Sequence, residues 1–103
     1  MIGYAFHPEA LLDLDEIWEF VSGDNLDAAD RTIADILSAL NELQSFPNRG
    51  HRRPDLTSRP LRFILVRRYL IAYAPGEKPL WVVAVMHGRR SPRVMAALLR
   101  TRE

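Results

Sequence analysis

The length, composition and cysteine content of the chain limit the structures and functions that it can have. Its 103 residues suit one domain, residues 1–103, and 48% hydrophobic with 26% charged residues is the balance of an ordinary globular protein. The absence of cysteine excludes disulfides, thiolate chemistry and cysteine-based zinc sites. No apolar run approaches the roughly 20 residues that span a bilayer, and the start Met1-Ile2-Gly3-Tyr4 lacks a signal-peptide pattern, so we expect a cytoplasmic protein without membrane contact.

The net charge of +1 hides two halves of opposite sign. Residues 1–48 carry ten carboxylates and one arginine, a net charge of −9, whereas residues 49–103 carry thirteen basic and three acidic residues, a net charge of +10. Such asymmetry indicates one face that meets a polyanion or an acidic partner protein. It is also explained by an internal match, in which acidic helices lie against a basic sheet. Both explanations stay open.

The first half of the chain predicts a short strand followed by two antiparallel helices. Weak alternation over residues 2–6 indicates the strand, and His7-Pro8-Glu9 is a typical helix start. Apolar residues then recur at helical spacing over residues 11–21 and 29–43, on either side of a short capping segment. We predict that Trp18 anchors the core of this layer, with ligand stacking as the alternative.

An irregular segment, residues 48–60, follows the helices. It contains two prolines, a glycine and four arginines, with Leu56 as its one large apolar residue, so we expect it to lie outside the core. It is either a solvated connector or a loop that contacts phosphate or a partner. Arg52 and Arg53, directly after His51, keep the second interpretation open.

Three apolar runs between residues 61 and 90 predict an antiparallel three-stranded meander. A two-residue turn at Arg67-Arg68 would pair Val66 with Tyr69, and a polar loop over residues 74–79 precedes the third run. Both faces of this sheet are apolar, whereas an antiparallel sheet with one solvated face alternates apolar with polar residues. The helices can cover one face, so we expect a partner protein to cover part of the other.

The third run and a short helix complete the predicted elements. Strict alternation in the third run puts Trp81, Val83 and Val85 on one face of the sheet. Ser91-Pro92-Arg93 is typical of a helix start. The helix is too short to be stable alone, so we expect it to gain its stability by docking.

The sequence contains none of the common catalytic motifs. It has no P-loop, no G-x-G-x-x-G and no G-x-S-x-G, and the three histidines, at positions 7, 51 and 87, lack metal-ligand spacing, so no metal or other cofactor is expected. What remains is an arginine-rich surface near His87. That surface could stabilise the transition state of phosphoryl chemistry with His87 as acid or base, or it could be an electrostatic docking site.

Five segments, taken in order, carry a family resemblance. They are ALLDLDEIWEFV and DNLDAADR in the helices, LQSFPNRGHRRPDL after them, and VRRYLIAY and VVAVMHGRR in the strands. Together they resemble the RelE/ParE superfamily of toxin–antitoxin toxins over nearly the whole chain, and they are most similar to the ParE branch. The resemblance implies an α+β fold, β-α-α-β-β-β with a short C-terminal helix, in which an antiparallel sheet packs on a helical hairpin.

The resemblance also implies a function. ParE-like toxins of type II toxin–antitoxin systems, which serve plasmid stabilisation and growth inhibition, are described as inhibitors of DNA gyrase that act by binding. The residues predicted to contact the target are Arg52, Arg53, Arg62, Arg89 and Arg90. A cognate antitoxin would wrap and neutralise the toxin, forming a hetero-oligomer that reaches operator DNA only through the antitoxin. The residues predicted to contact this antitoxin are Tyr69, Tyr73 and Trp81.

The RelE branch offers an alternative, because its members cleave messenger RNA on the ribosome without a metal. Arg89 matches an arginine of that branch, and such a nuclease would use Arg62, His87 and Arg89. However, Met95 stands where that branch can carry a tyrosine, and Leu70 where it often carries an arginine. The loss of two such groups favours inhibition by binding over catalysis. A third hypothesis is that the protein is a non-toxic module that only binds an antitoxin.

Overall fold

The computed structural model describes residues 3–102 and has the predicted order of elements. These are β1 (Tyr4–Phe6), α1 (Pro8–Ser22), α2 (Leu26–Leu43), β2 (Arg62–Val66), β3 (Tyr69–Ala74), β4 (Leu80–His87) and α3 (Pro92–Arg100). The α+β prediction is confirmed. Ile2, which belongs to the predicted first strand, lies outside the described residues, as do Met1 and Glu103. No helix in the described part of the chain is long and apolar enough to cross a membrane.

The four strands form one sheet in the order β1-β4-β3-β2. The predicted hairpin is confirmed, with Val66 opposite Tyr69 and antiparallel pairing from β2 through β3 to β4. β1 pairs with β4 in parallel, with Tyr4 opposite Leu80, so the sheet is mixed rather than antiparallel throughout. The chain leaves β1 through two helices, and such a long connection allows parallel pairing.

A bulge in β4 changes which residues share a face. Ala72 lies opposite Ala84 and Tyr73 opposite Val82, which leaves Val83 as an extra residue in the ladder. Val83 therefore packs in the core on one face of the sheet, whereas Val85 packs on the other. The prediction that these two valines lie on the same face is wrong, because the bulge interrupts the two-residue period.

The helices α1 and α2 cover the first face of the sheet. His7 accepts the Glu9 N–H at the start of α1, and Asn25 caps α2 by accepting the Ala28 N–H. The buried side chains that the two helices contribute to this core are Ala10, Leu14, Ile17, Ile36, Leu40 and Leu43. The prediction for Trp18 is wrong, since its side chain is 37% exposed and its indole N–H donates to Asp30 of α2.

The second face of the sheet is covered by α3 and by the segment before β2. Met95 and Leu99 of α3 are buried against the sheet, so the expected docking of this helix is confirmed. Leu56 is only 3% exposed in the same core. The expectation that its segment lies outside the core is wrong, because a turn whose Leu56 N–H bonds to the Arg53 carbonyl lets this residue pack inward. The chain itself thus covers part of the face expected to need a partner.

A buried ion pair joins α1 to the end of α3. The Arg102 guanidinium donates to both carboxylate oxygens of Asp13, and its side chain is only 7% exposed. The same two side chains also bond to the edge of β4, beyond the part that pairs with β1. Asp13 accepts the Val85 N–H at 2.9 Å, and Arg102 donates to the Val83 carbonyl at 3.2 Å. Arg59 adds bonds to the carbonyls at the end of α3. The Asp13–Arg102 pair therefore fixes α3 on the sheet.

Candidate target-binding surfaces

The predicted contact arginines lie at two opposite ends of the sheet. Arg62 is opposite Tyr73 at one end of β3, whereas His87 is opposite Tyr69 at the other end. At a rise of about 3.3 Å per residue, roughly 13 Å of strand separates these two positions. Two surfaces result: a turn end, formed by Arg67, Arg68, His87, Arg89 and Arg90, and a loop end, formed by Arg49, Arg52, Arg53 and Arg62. The predicted set is not one contiguous cluster.

The backbone of the turn end is held by short contacts. The Gly88 N–H donates to the Arg68 carbonyl at 2.7 Å, which ties the strand end of β4 to the hairpin turn. The Arg89 N–H donates to the His87 ring at 3.1 Å. Arg67 adopts a φ of 56°, in the left-handed region that few side chains favour. Two hydrogen bonds thus hold the backbone that carries Arg68 and Arg89.

Three arginines of the turn end are free to meet a partner. Arg68, Arg89 and Arg90 are exposed, and within residues 3–102 none has a carboxylate at salt-bridge distance. Arg67 differs, because its side chain is paired with Asp35 of α2 at 2.8 Å. The acidic residues of the first half of the chain therefore form ion pairs with only some of the basic residues of the second half. Arg49, Arg67 and Arg102 pair with acids of the first half, and the turn end keeps an unmatched positive field.

The loop end is supported by a buried tyrosine. The Tyr73 hydroxyl donates to the Pro47 carbonyl at 2.7 Å and accepts the Gly50 N–H at 2.9 Å, while Arg62 donates to the Gly50 carbonyl at 2.8 Å. Burial raises the pKa of Tyr73. A Cβ at position 50 would lie 2.6 Å from the Tyr73 hydroxyl, so only glycine fits there.

The arginines of the loop end are partly engaged already. Arg53 makes a two-bond contact with Asp55, which lowers the pKa of that carboxyl group. Arg52 and Arg62 line an open cavity of about 500 Å³ together with Glu77. Among the described residues, Arg52 alone of the four is without a hydrogen-bond or ion-pair partner, so the loop end offers fewer free arginines than the turn end and is the weaker site for an anionic partner.

The structure does not bring the residues of the alternative nuclease site together. Arg62 lies at the loop end, whereas His87 and Arg89 lie at the turn end, so the three cannot surround one scissile phosphate in this conformation. Met95 is 3% exposed and Leu70 is half-buried, and both pack in the second core. Within residues 3–102 no group of three or more histidine or carboxylate side chains is arranged to hold a metal ion.

A comparison with known protein families identifies the fold and its role. A family model described as the ParE toxin of the type II toxin–antitoxin system, parDE, matches residues 4–92. The chain belongs to the ParE toxin family. No curated protein matches the chain in sequence. Membership implies a toxin role and a cognate antitoxin as partner.

The residues predicted to meet the antitoxin of this ParE-family toxin differ in accessibility. Tyr69 is 7% exposed and forms part of a cleft beside α1, whereas Tyr73 has no exposed surface. Trp81 is half-buried, with its ring against His7. Tyr73 supports the loop end from inside, so direct contact with an antitoxin would require the 47–50 segment to move.

Sequence reasoning missed several residues that shape the surface of this ParE-family toxin. Asp13 and Arg102 fix α3, but nothing in the sequence distinguishes either residue from the charged residues of the surface. Phe20 is 78% exposed next to the turn end, and the only signal for it is an aromatic residue outside the apolar stripe of α1.

Proposed function

We propose that this ParE-family toxin arrests growth by binding its cellular target in the cytoplasm, with DNA gyrase as the candidate, and that its cognate antitoxin neutralises it. The observation that carries the proposal is the turn end, where Arg68, Arg89 and Arg90 project from a fixed backbone without a carboxylate partner among residues 3–102. Arg52 and Arg62 at the loop end form a second, weaker contact.

The chemistry of the turn end supports binding. Guanidinium groups bind carboxylates and phosphates with two parallel hydrogen bonds, and a positive surface speeds the encounter with an acidic partner. The bonds from Gly88 and Arg89 hold the backbone in place before binding, so little ordering is needed when a target docks.

The separation of Arg62 from His87 and Arg89 supports inhibition by binding rather than RNA cleavage. General acid–base catalysis needs groups within hydrogen-bond reach of the same reacting atoms. The packing roles of Leu70 and Met95 point the same way.

A supercoiling assay with purified toxin tests the proposal. We expect gyrase to be inhibited by the natural chain, and inhibition to weaken about tenfold or more when Arg89 and Arg90 are both changed to Ala. The matched control removes two exposed positive charges outside both ends, with Arg31→Ala and Arg100→Ala, and should inhibit almost as well. Gyrase that stays active at high toxin excess would contradict the gyrase target.

Two further measurements separate the alternatives. Cleaved message in a translation extract, lost on Arg89→Ala, would support the nuclease and overturn inhibition by binding. Normal growth of cells that express the toxin alone would support a non-toxic antitoxin-binding module. We expect growth arrest without message cleavage, reversed when the antitoxin is expressed with the toxin.

A further inference from the structure

A protruding aromatic side chain lies beside a hollow on the outer side of α1. Phe20 is 78% exposed, and next to it is a cavity of about 350 Å³ to which Ile17, Tyr69 and Val85 contribute apolar surface. A second cavity of about 290 Å³ shares Phe20, Tyr69 and His87 with the first. We call the two together the α1 cleft. A large apolar group exposed next to an apolar hollow marks an interaction site.

The two walls of the α1 cleft carry opposite charges. The wall formed by α1 and the turn after it carries Glu16 and Asp24, whereas the opposite wall carries Arg68 and Arg90 of the turn end. Glu16 and Arg90 line the same cavity, yet among the described residues no ion pair joins them. Both charges are therefore available to an occupant.

We propose that the occupant of the α1 cleft is a second copy of this chain, arranged about a two-fold axis. An axis that runs along the cleft places the acidic wall of each copy opposite the basic wall of its partner. The Phe20 ring belongs to the same wall as Glu16, so this axis also places it against the basic wall of the partner, where an arginine can stack on it. A two-fold interface needs one patch that is complementary to itself, and walls of opposite sign on either side of an apolar hollow meet that need.

The charge pattern favours a second copy over a peptide of one sign. An acidic peptide would be attracted by Arg68 and Arg90 but repelled by Glu16 and Asp24, and a basic peptide would meet the reverse. A copy of the chain presents both signs in the required order. This inference goes beyond the proposed function. Because Arg90 belongs to both surfaces, the dimer and the target complex would exclude one another.

Sedimentation equilibrium of the purified chain over a range of concentrations tests the inference first. We expect the mean mass to rise from 11.8 kDa toward twice that value, and the rise to weaken in high salt, which screens the facing charges. Phe20→Ala should raise the dimer dissociation constant about tenfold or more, since an aromatic side chain at the centre of an interface carries much of the affinity.

The matched control for Phe20 is Phe46→Ala. Phe46 is 61% exposed but follows the far end of α2, outside the α1 cleft, so this change should leave the dimer intact. A natural chain that stays monomeric at every concentration would overturn the inference. So would a dimer that Phe20→Ala leaves as strong as before.

A charge exchange identifies the surface that is used. Glu16→Arg alone and Arg90→Glu alone each place like charges opposite one another at both contacts, and each variant should lose the dimer. A mixture of the two restores opposite charges at both contacts, so a heterodimer should form. If the natural chain dimerises and the mixture does not, the dimer uses another surface and the inference is wrong. Circular dichroism checks that each variant is folded.

Discussion

The two faces of the sheet are covered in different ways. The first face packs against two helices of 15 and 18 residues, with apolar side chains spread along both. The second face packs against a helix of 9 residues and one leucine of an otherwise polar segment. We call α1 and α2 the first cover, and α3 with Leu56 the second cover. Arg59 and Arg102 hold the second cover by polar contacts. Stability on the first face is thus distributed over many contacts, whereas on the second it depends on a few.

The two covers also differ in their relation to the family. The match to the ParE toxin family ends at residue 92, where α3 begins. The sheet and the helical hairpin are therefore within the matched segment, and nearly all of α3 lies beyond it. Of the second cover, the match therefore includes Leu56 but reaches only the first residue of α3.

The largest effect is expected from truncating a side chain in the first core. Leu40 has no exposed surface, and Leu40→Ala should lower the free energy of unfolding by about 4 kcal/mol, because the helices and the sheet cannot collapse into the cavity. Urea denaturation followed by circular dichroism measures the change. A loss below about 1 kcal/mol would show that this core is loosely packed.

The next effect is expected from breaking the buried ion pair on the second face. Arg102→Met leaves the Asp13 carboxylate without its partner at a site where that side chain is 13% exposed, so unfolding should become easier by about 3 kcal/mol. Arg100→Met, in the exposed last turn of α3, is the control and should change little. Adding Asp13→Asn to Arg102→Met should recover part of the loss. No recovery would mean that the two groups are not coupled.

A leucine truncation on the second face tests whether the two faces of the sheet differ in how their packing responds to a lost side chain. Leu99 is as buried as Leu40, but Leu99→Ala should cost only about 2–3 kcal/mol, because a short helix can shift to fill the space. Hydrogen exchange should increase in α3 much more than in α1 and α2. Equal increases throughout the chain would show that the two covers unfold as one unit.

The smallest effect is expected at the buried tyrosine of the loop end. Tyr73→Phe removes bonds to Pro47 and Gly50 and should cost about 1–2 kcal/mol. Burial raises the pKa of Tyr73, so its contribution is complete below the unfolded pKa of about 10 and is lost as pH rises through the higher folded value. Unfolding curves of the natural chain should therefore weaken more steeply above that pH than those of Tyr73→Phe. Parallel curves would contradict this assignment.

The first cover could be predicted from the sequence because its signals are periodic. The helical stripes repeat over many residues, and the short turn between Val66 and Tyr69 fixes the register of the hairpin. The bulge at Val83 has no such signal, since neither glycine nor proline marks it. The second cover was missed in part because a single leucine, Leu56, does not make a pattern.

For the candidate site, the sequence predicts the high content of arginine but not the arrangement of the arginines. The sequence shows many arginines, but it does not show which are paired. Arg53 and Arg67 are held by Asp55 and Asp35, whereas Arg68, beside Arg67 in the chain, is free of such a partner within residues 3–102. The Arg67–Asp35 pair joins residues 32 positions apart, so it depends on the position of α2 against the hairpin and the local sequence pattern does not reveal it.

The Asp13–Arg102 pair has a consequence for the time course of folding. Its two members are 89 residues apart in the chain. Likewise, β1 can pair only with β4, the last strand of the chain. Contacts that close such long loops form late, after the local pairing of the helices and of the hairpin. A contact absent from the transition state acts on the rate of unfolding rather than on the rate of folding. The pair should therefore lengthen the lifetime of the folded toxin without hastening its formation.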